Sequence, residues 1–139
     1  MVRGFEILEH PADVGIEAYG ASLAEAFEEA AQGLVSFLFD SGSVTRREHR
    51  QVCLRAVDYE QLLVKWLGEI LYLFDGQQFL SCHFRIVELN AEALLAEVSG
   101  ESFEPGKHQT RMDVKAVTYH QLRVDEGPET CRVRVFLDI

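Results

Sequence analysis

Between Asp58 and Gly76, seven large apolar residues recur at helical spacing: Leu62, Leu63, Trp66, Leu67, Ile70, Leu71 and Phe74. Residues three and four apart share one side of an α-helix, so this segment presents a wide apolar face. Such a helix owes most of its stability to burial against other elements, which makes it the expected structural centre of the chain. Asp58 is placed as its N-cap, and Gly76, following Asp75, is suited to a left-handed cap at its end.

A second helix opens at Ser22. Ser22 and Glu25 form a capping-box pattern, and Leu23, Ala26, Phe27, Ala30, Leu34 and Phe37 make one apolar stripe that fades near Phe39, before Asp40-Ser41-Gly42-Ser43. Elsewhere the period is two. Phe5 to Leu8, Val14 to Tyr19, Gln51 to Val57, Phe79 to Leu89, Ala93 to Ser99, Val114 to Val124 and Arg132 to Leu137 read as strands. A turn is expected around Asn90-Ala91, a loop from Gly100 to Met112, a bend near Thr118-Tyr119 and a hairpin turn at Asp125-Glu126-Gly127-Pro128. The order predicts an α+β fold: a largely antiparallel sheet with two main helices packed on one face. With 139 residues, 47% of them hydrophobic, residues 1–139 suit a single domain.

Thirteen basic residues against 23 acidic ones give a formal charge of −10. A surface of that sign repels phosphate backbones, so strong direct binding of RNA is disfavoured. No apolar run is long enough for a membrane span. The N-terminal segment reaches charged residues at once and lacks a leader-like pattern, so a cytoplasmic protein is expected. Cys53, Cys82 and Cys131 are odd in number and far apart, and read as reduced, buried thiols. The nucleophile elbow, the P-loop and the dinucleotide fingerprint are all missing, and His49, His83 and His108 lack the spacing of metal ligands on a helix.

Two places depart from a plain α+β domain. One is His10-Pro11-Ala12-Asp13, an acid and a histidine between two strands; the other is the closing Phe136-Leu137-Asp138-Ile139. If the last strand lies beside the early ones, Asp13 joins Asp138 and the main-chain oxygens at Ile139. Oxygens gathered in that way suit calcium or magnesium and not a soft metal. Without further context the simpler reading is preferred, in which Asp13 is a turn residue and Asp138 a solvated tail acid. Lys115, in a stretch of β-branched and apolar residues, either neutralises carboxylates or contacts a phosphate, or else covers the sheet with its stem. His120 reads first as a satisfied strand histidine.

At these same places the sequence resembles the archease family. The matching stretches are Phe5 to Gly15 with its His10-Pro11-Ala12-Asp13 core, Ser22 to Glu28, Trp66 to Asp75, Val114-Lys115-Ala116-Val117-Thr118-Tyr119-His120, and Leu137-Asp138-Ile139. They fall in the family's order and span almost the whole chain. The resemblance implies a non-enzymatic activator of an RtcB-type tRNA-splicing RNA ligase, promoting guanylylation of the ligase histidine and its multiple turnover. It further implies a divalent cation, calcium or magnesium, at Asp13, Asp138 and a main-chain oxygen of Ile139. Lys115 and His10 are the implied partner or phosphate contacts. The alternative is a general chaperone or adaptor for an RNA-modifying enzyme such as a tRNA methyltransferase. Two residues depart from the family pattern. Pro11 stands where Thr or Ser is common, stiffening the loop before Asp13. Gly68 stands in the second helix where a polar residue is common, at some cost in helix stability.

Overall fold

The computed structural model describes residues 2–9 and 13–139. The expected centre is helix α2 (Tyr59–Gln77). Asp58 Oδ1 accepts the N–H of Gln61 at 2.8 Å, and Gln61 Oε1 accepts the N–H of Val57 at 3.0 Å, so two otherwise orphaned donors at the helix start are satisfied reciprocally. Leu62, Leu63, Trp66 and Leu67 are fully buried. The Trp66 indole N–H donates to the carbonyl of Phe27 at 2.9 Å and its ring meets Phe84 edge-on at 6.0 Å. That indole locks α2 to helix α1 (Leu23–Leu38), whose stripe Phe27, Ala30, Leu34 and Leu38 is equally buried.

All strand pairings are antiparallel, as expected, but the strands divide into two sheets. One has the order β1 (Gly4–Glu9), β2 (Asp13–Gly20), β7 (Cys131–Asp138), β6 (Ala116–Glu126). The other runs β3 (Glu48–Arg55), β5 (Ala93–Ser102), β4 (Phe79–Asn90). Helix α1 packs on β2 and on β4, and α2 packs on β6 and on β4, so the two helices join the sheets through one core. Helix α1 also completes the outer margin of β4: Glu28 Oε2 accepts the N–H of Ile86 at 2.8 Å, and Gln32 Nε2 donates to the carbonyl of Cys82 at 3.2 Å.

Some boundaries differ from expectation for physical reasons. Strand β5 runs on through Gly100 to Ser102, because a Cβ at Gly100 would overlap the Leu80 carbonyl and only glycine permits that approach. Helix α2 continues past Gly76, and Gln78, at φ 54°, takes the left-handed cap instead. Cys131 is buried as expected, Cys82 is half-buried, and Cys53 is exposed, since the alternation of β3 turns it outward with Gln51 and Arg55. No helix among the described residues is long and apolar enough to cross a membrane.

Candidate functional site

Three strand ends meet at one point. Asp13, the first residue of β2, is the register partner of Asp138, the last residue of β7, and Ala116, the first of β6, is the partner of Asp138 on its other side. Directly opposed residues of an antiparallel pair point to the same face, so the two carboxylates lie side by side on neighbouring strands. Asp13 is half-buried and Asp138 exposed. Lys115 sits just ahead of β6, and its main-chain N–H donates to the Asp138 carbonyl at 2.7 Å. The lysine is exposed, and Ile139 follows Asp138 at the same corner. Of the residues expected here, Asp13, Asp138, Ile139 and Lys115 are therefore neighbours, while His10 lies outside the described residues.

The next row inward fixes this corner. Gly15 is paired with Phe136, two residues before Asp138. A Cβ at Gly15 would stand 2.8 Å from Cε1 of the Phe136 ring and 3.1 Å from Leu8, so the phenyl ring occupies the space a side chain would need. On the other side Thr118 Oγ1 donates to the Phe136 carbonyl at 3.0 Å and accepts the His120 N–H at 3.2 Å. The strand bends where expected: β6 shifts register between Thr118 and Arg123, with Gln121 at φ 50°. This turns the His120 ring edge-on to Phe136, with centroids 5.7 Å apart.

Lys115 reaches the corner on a strap, residues 103–115. Its far end is laced to the last turn of α1, where Arg111 and Met112 donate their N–H groups to the carbonyls of Leu38 and Phe37 at 2.9 and 3.0 Å. Its near end is clasped by Glu101, which is 4% exposed. That carboxylate takes hydrogen bonds from Lys107 Nζ at 3.0 Å, the Thr45 N–H at 2.8 Å and His108 Nε2 at 2.8 Å. His108 Nδ1 accepts the Glu104 N–H at 2.9 Å, which leaves the ring proton on Nε2 to face Glu101. The Lys107 ammonium first, then the Thr45 N–H and His108, pull the Glu101 pKa down to about 2 against the opposing effect of burial. Sequence reasoning missed this clasp. Glu101 and His108 fell in an expected loop, and only the close approach at Gly100 brings the strand far enough to bury the acid.

Chemically, the corner offers carboxylate and main-chain oxygens beside a lysine. Among the described residues no three His, Cys, Asp or Glu side chains gather at one point. The donor set is therefore two opposed carboxylates completed by main-chain oxygen, which fits a hard cation such as calcium or magnesium and offers a soft metal nothing.

The sequence model of the Archease protein family matches residues 5–139. A protein named archease from Methanosarcina acetivorans is 39% identical over 141 residues, covering 99% of this chain and 97% of that protein. Another from Sulfolobus acidocaldarius is 35% identical over 136 residues, with 97% and 98% covered. The solution structure of Methanobacterium thermoautotrophicum protein 1598 superposes with a TM-score of 0.82 at 34% identity, covering 98% of this chain and 99% of that one. A crystal structure of a Thermotoga maritima archease, described as a possible chaperone, shares the fold with a TM-score of 0.65 at 20% identity and 96% coverage of each chain.

Proposed function

Because the chain belongs to the archease family, we infer that it is a non-catalytic protein cofactor of an RtcB-type tRNA-splicing RNA ligase, promoting guanylylation of the ligase and its repeated turnover. The observation that carries this reading is the register of Asp13 against Asp138. Two like charges held directly opposite one another are unfavourable alone and call for a cation between them. The side chains of Asp13 and Asp138, with a main-chain oxygen of Ile139, would hold calcium or magnesium. When bound, such an ion supplies positive charge and open coordination positions to phosphate oxygens.

The chain's own residues do the rest. Lys115, whose main-chain N–H is tied to Asp138, carries an exposed ammonium that suits a nucleotide phosphate. Phe136, wedged between Gly15 and His120, keeps the strand end rigid. With a net charge of −10, the protein docks on a basic, nucleotide-loaded partner and leaves the RNA to that partner. Single-turnover guanylylation of the ligase tests the reading. Asp13→Ala and Asp138→Ala should each lose stimulation, and so should the wild type in chelator. Full stimulation by both variants rejects the site; stimulation that survives chelator points instead to a metal-independent adaptor or chaperone.

A further inference from the structure

His49 of β3 and His83 of β4 are register partners of the same residue, Ser99 of the central strand β5. Paired residues share a face, so two imidazoles flank one hydroxyl across three strands, on the outer side of the second sheet. Strand spacing puts the two histidine Cα atoms about 10 Å apart, a gap that two imidazoles and a shared ion can span. Ser99 is 3% exposed, and its Oγ lies 2.9 Å from His49 Nδ1. With the proton on Nδ1 donating to Ser99, the His49 Nε2 is left as a lone pair facing out. That is the tautomer a metal-binding imidazole takes when its other ring nitrogen is hydrogen-bonded.

We propose that His49, oriented by Ser99, and His83 form a binding site for a borderline divalent transition ion of the nickel, copper or zinc class, separate from the Asp13–Asp138 corner. Imidazole nitrogens select such ions over calcium and magnesium. The Arg46 guanidinium lies close enough to His83 to act on its charge, with the Glu28 carboxylate opposing it. Cys82, the extra residue of the bulge between Ser81 and His83, is half-buried. Two protein nitrogens leave the remaining positions to water or to a donor from another molecule.

Calorimetric titration of the untagged protein with nickel(II), in excess calcium to occupy the acidic corner, tests this. One nickel should bind per chain. His49→Gln and His83→Gln should each weaken it by about tenfold or more, and Ser99→Ala by about tenfold through loss of ring orientation. Arg46→Ala should tighten binding, since it removes a repelling cation, and a misfolded variant cannot produce that gain. No nickel binding, affinity unchanged in both histidine variants, or weaker binding in Arg46→Ala would each overturn the proposal; the last result would mark an anion site.

Discussion

The main-chain N–H of Lys115 donates to the carbonyl oxygen of Asp138 at 2.7 Å, which ties the end of the strap to the end of β7. With Asp13 opposite Asp138 on the other side, three segments far apart in sequence hold one corner. Its energetics depend on what neutralises the two carboxylates.

Asp138→Asn should therefore act in opposite directions with and without a cation. In chelator the change removes a like-charge pair and should raise stability by up to about 1 kcal/mol. With calcium at about 100 times its dissociation constant the wild type should gain about 2.7 kcal/mol, and the variant should gain little of that. Urea denaturation in chelator and in calcium reads both. An equal calcium-dependent gain in the two proteins would remove Asp138 from the site.

The Glu101 clasp predicts a pH dependence. Its carboxylate pKa is depressed from 4.5 to about 2 in the folded protein. The unfolded chain therefore takes up the proton first as pH falls. The stabilisation is fully present above about pH 4.5 and is lost as pH drops toward 2. Glu101→Gln should cost about 3 kcal/mol at pH 7, and that difference should shrink steadily below pH 4.5. Urea midpoints of both proteins at pH 7 and pH 3 measure it; a constant difference would mean the charge is not what the clasp uses.

Gly68 lies inside α2, and a Cβ built there meets nothing within 4 Å. Gly68→Ala should raise stability by about 1 kcal/mol, since alanine restricts the unfolded chain and suits the helix interior. Thermal unfolding should shift upward by about 4 °C. A lowered midpoint would show that the open space at this position is needed for packing.

Local signals made the helices legible. The stripes of α1 and α2 and the caps at Ser22 and Asp58 depend only on residues a few positions apart, and Ser22 Oγ accepts the Glu25 N–H at 3.1 Å as its spacing implied. The acidic corner was legible only through the family resemblance, since on their own Asp13 read as a turn residue and Asp138 as a solvated tail acid. The division into two sheets was not, because strand pairing is settled by contacts between distant segments. The left-handed residue was misplaced for a similar reason. Gly76 would have served, but Gln78 stops the helix where its carbonyl accepts the N–H of Phe103 at 2.7 Å. The outward turn of Cys53 was within reach, since Gln51 and Arg55 share its side of the strand. Glu101 and His108 could be brought together only by the fold itself.

Helix α1 acts in part as a surrogate strand. Glu28 and Gln32, one helical turn apart, occupy the N–H of Ile86 and the carbonyl of Cys82 along the free margin of β4. A foreign chain laid along that margin would find those groups already engaged, so the sheet offers it no template there. The same two side chains that dock the helix thereby guard the second sheet against fibre-like growth, a task that in other sheets falls to a bulge, a proline or a lysine.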